Sequence, residues 1–191
     1  MLFFYINSAS KITLFLLGAL TATYSLPLFK YNSKTIRLRD FSYLKILLIA
    51  FTWAIVCGNL VLFNSHISFS INKHFFIFIE KFLFLIAITI PFDIRDYEQD
   101  KIEAVKTIPN TIGIKQSILL ALVCLLTSLF LILFFNTNIY YKLAYVLAYI
   151  YAGTLIAIAD SKKNAMFFLF YLDAALIILG ALVFIAYLIT S

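Results

Sequence analysis

Charged residues are scarce in this sequence. They make up 13% of the 191 residues, and nine residues in total are acidic. A soluble domain carries about 25% charged and about 45–50% apolar residues, whereas 64% of this chain is hydrophobic and its mean hydropathy is +1.02. A chain of this length cannot bury so much apolar surface in a core of its own. We therefore exclude a soluble globular domain and expect an integral membrane protein.

Cysteine is also rare, which excludes a disulfide framework or a cysteine-based zinc site. Cys57 and Cys124 both lie inside apolar runs, and we expect them to be small packing residues in helices. The net charge of +6 comes from lysines and arginines that lie between apolar runs. We expect these cations to set membrane topology rather than to bind nucleic acid.

Six apolar segments are long enough to cross a bilayer, which takes roughly 20 residues per helix. Backbone groups in lipid must form their hydrogen bonds within the protein, so the segments are expected to be helices. The predicted fold class is all-α, a polytopic transmembrane helical bundle in a single membrane domain of residues 1–191. The predicted spans are 12–29, 44–63, 75–92, 116–135, 140–159 and 166–188.

The positive residues favour one side of this topology. All but four of the 15 Lys and Arg residues fall in the segments 30–45, 93–115 and 160–165. The positive-inside rule places these segments in the cytoplasm. We expect a bacterial inner (plasma) membrane protein with the loop 93–115 cytoplasmic, and a tight turn at 136–138 that joins the fourth and fifth spans as an antiparallel hairpin.

Acidic residues cluster after the third span. Five of them fall within eleven positions, from Asp93 to Glu103. If the helix continues past Pro91, then Asp93, Asp96 and Asp100 share one face, since they are spaced i, i+3 and i+7. Hard oxygen ligands without a nearby Cys or His suit Mg²⁺, which is held by one or two carboxylates plus substrate phosphates.

Three cations accompany these acids, namely Arg95, Lys101 and Lys106. Their donors suit the phosphate oxygens of an anionic substrate. The alternative is a solvated loop in which the carboxylates pair with the same three cations. The helical spacing of the acids and their position directly after a span favour the metal and phosphate site.

The run from Asp93 to Gly113 resembles the second aspartate-rich motif of the UbiA-type intramembrane aromatic prenyltransferases. That motif reads approximately D-x-R-D-x-x-x-D, then K/R-T-x-P and a glycine. Ala104 stands where the family often has glycine. A second match, to the family's Y-S-x-P, is Tyr24-Ser25-Leu26-Pro27 with Lys30 soon after. The motif positions are filled here by Asp93, Arg95, Asp96, Asp100, Lys106, Thr107, Pro109 and Gly113.

The resemblance implies that the six spans correspond to helices four to nine of a nine-helix bundle. It implies a Mg²⁺-dependent transfer of a polyprenyl group from its diphosphate to an aromatic or other small acceptor, such as a quinone precursor. Asp93, Asp96 and Asp100 would be the catalytic and metal-binding residues. The residues implied in substrate binding are Arg95, Lys101, Lys106, Tyr24, Ser25 and Lys30.

The family's first motif, N-D-x-x-D-x-x-x-D, has no counterpart in this sequence, so we expect a fragment or a shortened member. The alternatives are a catalytically inactive membrane paralogue and an assembly or transport protein. Four further acids lie outside the cluster, namely Asp40, Glu80, Asp160 and Asp173. Asp173 lies within the last span and is expected to bond to a neighbouring helix or to line the chamber. Glu80 and Lys81 are expected to snorkel or to pair with each other. Asp160, at the cytoplasmic end of the fifth span, is expected to be a surface acid beside Lys162 and Lys163.

Overall fold

The computed structural model describes residues 8–25, 29–31, 34–36, 42–59, 71–103, 105–136 and 138–190. By their internal contacts, the residues form two compact units, Met1–Phe82 and Leu83–Ser191. Nearly all of the described regular structure is helical. The described part of the chain is therefore largely helical, as the sequence predicts.

The first unit begins with helix α1 (Ser8–Ser25), followed by strands β1 (Phe29–Tyr31) and β2 (Lys34–Ile36), which pair as an antiparallel ladder. Helix α2 (Ser42–Ala54) continues as a π-helical turn, Ile55–Asn59. The unit ends in the first part of helix α3 (Ile71–Arg95).

Two contacts pack α2 against the start of α3. The rings of Phe51 and Phe78 meet edge to face, with 5.5 Å between their centroids. A Cβ on Gly58 would lie 3.0 Å from the side chain of Ile77, so glycine allows this close approach. On α3 itself, Lys81 forms a 2.9 Å ion pair with Glu80. Of the two roles expected for these residues, snorkelling and pairing, the structure shows the pair.

The second unit contains the rest of α3 and five further helical segments. Helices α6 and α7 pack against each other, and α8 packs against α7. The segments are α4 (Tyr97–Ile102), α5 (Ile108–Ile112), α6 (Ile114–Phe135), α7 (Ile139–Ala157) and the π-helical turn Phe167–Leu172, which continues as α8 (Asp173–Thr190).

The turn between α6 and α7 is closed by asparagine side chains. The N–H of Asn138 donates to Asn136 Oδ1 at 3.1 Å, and the N–H of Tyr140 donates to Asn138 Oδ1 at 2.9 Å. Asn138 is thus the N-cap of α7, a position that asparagine favours because its side chain satisfies a helix-end donor. The predicted antiparallel hairpin is confirmed.

Small residues and aromatic rings hold the second unit together. Ala144, Ala148 and Ala152 are buried one turn apart along α7, which lets neighbouring helices approach closely. Phe84 of α3 lies 4.8 Å from the ring of Tyr149 on α7.

Within the described residues, four helices are long and apolar enough to cross a membrane: His74–Arg95, Ile114–Phe135, Ile139–Ala157 and Phe167–Thr190. They match the last four predicted spans to within about one helical turn.

The predicted end of the first span at residue 29 is wrong, because α1 ends at Ser25 and Phe29 begins β1. Pro27 accounts for this end, since proline and the residue before it disfavour a continuing helix. The ladder of β1 and β2 also departs from the predicted all-α fold.

Candidate functional site

The acidic motif begins inside α3 rather than in a loop. The helix passes through Pro91 and ends at Arg95. Helical hydrogen bonding then continues across the junction, because the N–H of Asp96 donates to the carbonyl of Phe92 at 3.2 Å and that of Asp100 to the carbonyl of Asp96 at 2.9 Å. The helix thus continues past Pro91, as the shared face of the acids requires. The segment 93–115 consists of the end of α3, the short helices α4 and α5, and the start of α6.

Arg95 and Asp96 form the best-defined ion pair of the site. Arg95 donates from Nε to Asp96 Oδ1 at 2.7 Å and from Nη2 to Asp96 Oδ2 at 2.9 Å. This two-point geometry is the strong form of a guanidinium–carboxylate pair. The interpretation of the motif as a set of paired charges therefore holds for these two residues. Both side chains remain about one third exposed.

The end of α3 lies beside the start of α8. The rings of Phe92 and Phe168 lie 6.3 Å apart, and the Arg95 guanidinium is 5.5 Å from the centre of the Phe92 ring. Asp93, two residues before Arg95, is buried, and Asp173 is the first residue of α8. The expected role of Asp173, a bond to a neighbouring helix or a place in the chamber wall, stays a prediction.

A pocket of about 230 Å³ lies between α4 and α5. The turn that forms it is closed by the N–H of Val105, which donates to the carbonyl of Asp100 at 2.8 Å, and by Asn110 Nδ2, which donates to the carbonyl of Val105 at 3.2 Å. These bonds bring charged residues from both sides of the turn to one cavity. Among the residues that line it are Tyr97, Asp100, Lys101, Lys106, Asn110 and Thr111.

Of these lining residues, three were predicted from the sequence and three were not. The structure brings Asp100, Lys101 and Lys106 together, as a metal and phosphate site requires. Tyr97, Asn110 and Thr111 were missed, although all three fall inside the motif run. Lys101 Nζ lies 5.9 Å from the centre of the Tyr97 ring, which is within the range of a cation–π contact.

The other motif residues shape the backbone. Thr107 is buried at the N-cap of α5, Pro109 is buried in the first turn of that helix, and Gly113 joins α5 to α6 with a φ of 88°. Proline suits a first helical turn because its missing N–H has no helical partner there. A positive φ favours glycine. These residues therefore direct the chain from the pocket into α6.

The structure also bears on whether a magnesium ion fits. Within the part of the chain that the structure describes, no three Asp, Glu, His or Cys side chains form a metal-binding group. Asp93, Asp96 and Asp100 are thus not gathered into a three-carboxylate cage, and both oxygens of Asp96 bind Arg95. Magnesium is commonly held by one or two carboxylates plus substrate phosphates. The donor set at Asp100, with two lysines on the same pocket, fits an ion shared with a bound phosphate.

Three predicted substrate-binding residues belong to the first unit. Tyr24 and Ser25 form the last turn of α1, and Lys30 pairs with Thr35 in the ladder. The side chains of all three, and the whole of Ala104, lie outside the described residues. Their predicted roles stay predictions. Comparison of the chain with protein-family models, with curated proteins and with solved structures found no match.

Proposed function

We propose that this chain binds the diphosphate of a polyprenyl donor and transfers the prenyl group to an aromatic or other small acceptor, as a UbiA-type prenyltransferase does. The observation that carries this proposal is the pocket that Asp100, Lys101 and Lys106 share at the end of a membrane helix. Ammonium groups bind phosphate oxygens as point charges. A membrane-surface pocket suits a donor with a charged head and an apolar tail.

In the proposed reaction, the bond between the first prenyl carbon and its oxygen breaks and the diphosphate leaves with the electron pair. The acceptor supplies an electron pair to that carbon and loses a proton. Lys101 and Lys106 stabilise the charge that builds up on the leaving diphosphate. The apolar spans exclude water from the allylic cation. Mg²⁺, if held by Asp100 together with the diphosphate, would supply further neutralisation of the leaving group.

We also propose that α1 and α2 cross the membrane, which gives six spans. Helix α1 has 18 residues and is therefore about 27 Å long at 1.5 Å per residue, close to the roughly 30 Å of the hydrocarbon core. The π-helical turn extends α2 to Asn59, so that it covers a similar length. The distribution of Lys and Arg then supports a cytoplasmic position for the motif, in a bacterial inner membrane.

A second candidate function is a non-catalytic paralogue that binds the diphosphate without transferring the prenyl group. The bidentate pair of Asp96 with Arg95 favours it, because a carboxylate with both oxygens engaged is not available to a cation. Such a protein would act in assembly or transport rather than in catalysis. It would bind the polyprenyl diphosphate as the enzyme does, but it would not transfer the prenyl group.

The test is transfer of labelled polyprenyl diphosphate in membranes that contain the protein, with and without Mg²⁺. The proposed enzyme shows Mg²⁺-dependent transfer that Asp96→Ala and Asp100→Ala abolish. Asp160→Asn is the matched control, since Asp160 is an exposed acid of the α7–α8 turn outside the pocket. Binding of the donor without transfer supports the non-catalytic paralogue, and neither binding nor transfer refutes both.

A further inference from the structure

The backbone of Val105 joins the two sides of the pocket. Its N–H donates to the carbonyl of Asp100 in α4 at 2.8 Å, and its carbonyl accepts from Asn110 Nδ2 in α5 at 3.2 Å. All three residues line the pocket. Both hydrogen-bonding groups of one residue are thus used to connect α4 to α5.

Lys106 is the central residue of a three-residue turn. The N–H of Thr107 donates to the carbonyl of Val105 at 3.1 Å, which closes a γ-turn around Lys106. The carbonyl that closes this turn is the same one that accepts from Asn110. The Asn110 side chain is therefore bonded to the backbone of the turn that carries the lysine.

The position of the Lys106 ammonium depends on this turn. Lys106 is exposed, and a lysine side chain is a flexible stem with a point charge at its end, so the backbone decides where the charge can reach. The hydroxyl of Thr107 is buried and has no hydrogen-bond partner among the described residues, so it does not secure the turn. The Asn110 amide supplies a side-chain bond that does.

We infer that Asn110 is a positioning residue for Lys106: its amide holds the carbonyl of Val105 and thereby fixes the turn that presents the Lys106 ammonium to the diphosphate. The inference rests on the proposed function for the identity of the ligand. A cation that is already held in place loses less conformational freedom on binding. The affinity of the pocket for diphosphate therefore depends on an uncharged amide that acts through the lysine.

Titration calorimetry with inorganic diphosphate, on the full chain in lipid nanodiscs, measures this effect. Asn110→Leu keeps a similar side-chain shape and removes the donor. The net contribution of one hydrogen bond corresponds to about threefold to tenfold in an equilibrium constant, and we expect a loss of affinity of that size. Asn110→Ala should give a similar loss, and it covers the case in which leucine does not fit. Asn164→Leu makes the same change at an exposed asparagine of the α7–α8 turn and should leave the affinity unchanged.

The Lys106→Gln background separates positioning from direct contact. If Asn110 acts through Lys106, then adding Asn110→Leu to Lys106→Gln should change the affinity by less than about twofold, since no ammonium remains to be positioned. An equal loss in both backgrounds would mean that Asn110 binds the diphosphate itself, and it overturns the inference. An unchanged affinity for both Asn110 variants when Lys106 is present overturns it as well.

A spin label at position 106 tests the turn independently of any ligand. The label is attached to Lys106→Cys in a variant without Cys57 and Cys124, and Lys115→Cys, at an exposed residue of α6, is the control site. Without diphosphate, Asn110→Leu should raise the mobility of the label at 106 and leave that of the label at 115 unchanged. Unchanged mobility at 106, or an equal rise at both sites, overturns the inference whether or not diphosphate binds. If the parent binds no diphosphate, the proposed function fails, and that outcome is distinct from the mobility of the label.

Discussion

The hydroxyl groups of Ser128 and Tyr149 share a buried hydrogen bond of 2.8 Å between α6 and α7. Ser128 is fully buried and Tyr149 is 2% exposed. The ring of Tyr149 also contacts Phe84 of α3. One side chain therefore links three membrane helices of the second unit, by a polar contact on one side and an aromatic contact on the other.

We predict that Tyr149→Phe lowers the free energy of unfolding by about 0.6–1.5 kcal/mol, because it removes the hydroxyl and keeps the ring. Unfolding in detergent with increasing denaturant measures this change. Tyr187→Phe is the matched control, since Tyr187 on α8 is 54% exposed and its hydroxyl should contribute little. If the Tyr149→Phe protein were as stable as the parent, the hydrogen bond would make no net contribution to the free energy of unfolding.

Gly113→Ala should destabilise the protein through its backbone. The φ of 88° and ψ of 157° at Gly113 lie in a region that is almost restricted to glycine, and a side chain there costs about 1–3 kcal/mol. The nearest atom to an added Cβ is the end of the flexible Gln116 side chain, at 2.9 Å, so strain rather than collision dominates. Thermal unfolding in detergent checks the loss.

Gly180→Ala is the companion variant. Among the described residues, nothing lies within 4 Å of a Cβ added at Gly180 in α8, and alanine is the better helix former by about 1 kcal/mol. This protein should be as stable as the parent or slightly more stable. Equal destabilisation by both alanines would contradict the role assigned to the positive φ.

Arg95→Lys should change stability little. Lysine cannot form the two-point contact with Asp96, but both side chains are about one third exposed, and ion pairs at such positions contribute about 0–1 kcal/mol. We expect a decrease below about 1 kcal/mol in denaturant unfolding. A decrease of several kcal/mol would mean instead that the pair contributes to stability as a buried ion pair does.

Lys106→Gln should weaken diphosphate binding about tenfold or more. A hydrogen bond to a charged group contributes about 1.5–3 kcal/mol, and each 1.4 kcal/mol corresponds to a factor of about ten in affinity. Lys115→Gln makes the same charge change on α6, at an exposed residue that does not line the pocket. Titration calorimetry with inorganic diphosphate compares them, and equal losses would indicate a general charge effect rather than a pocket.

The sequence predicts the fold correctly where a long apolar segment has to cross lipid. Long apolar runs give the last four spans, and the asparagines at 136 and 138 give the turn between two of them. The end of α1 was misplaced because the apolar run continues to Phe29, while Pro27 and the pairing of β1 with β2 end the helix. The length of an apolar segment does not indicate whether part of it pairs as a strand.

The sequence predicted part of the candidate site. The spacing of acids and lysines after α3 indicated the charged pocket, but Asn110 enters it only because the chain reverses at Val105. Pairing of a carboxylate with Arg95 was one of the two alternatives from the sequence, but the sequence did not single out Asp96, since adjacent helical residues do not normally face each other. Asp96 has a φ of −87° and a ψ of 3°, outside α-helical values, so ideal helix geometry does not apply at this residue.

Membrane topology provides the last prediction. In a variant without Cys57 and Cys124, single cysteines are introduced as Thr35→Cys, Asn138→Cys and Ser161→Cys, and intact cells are treated with an impermeant maleimide. Six spans place residues 35 and 161 on the cytoplasmic side and residue 138 outside, so Asn138→Cys alone should be labelled. If α1 and α2 do not cross, residue 35 lies on the same side as residue 138, and Thr35→Cys is labelled as well. Labelling of Ser161→Cys without Asn138→Cys would instead reverse the orientation that the positive residues predict.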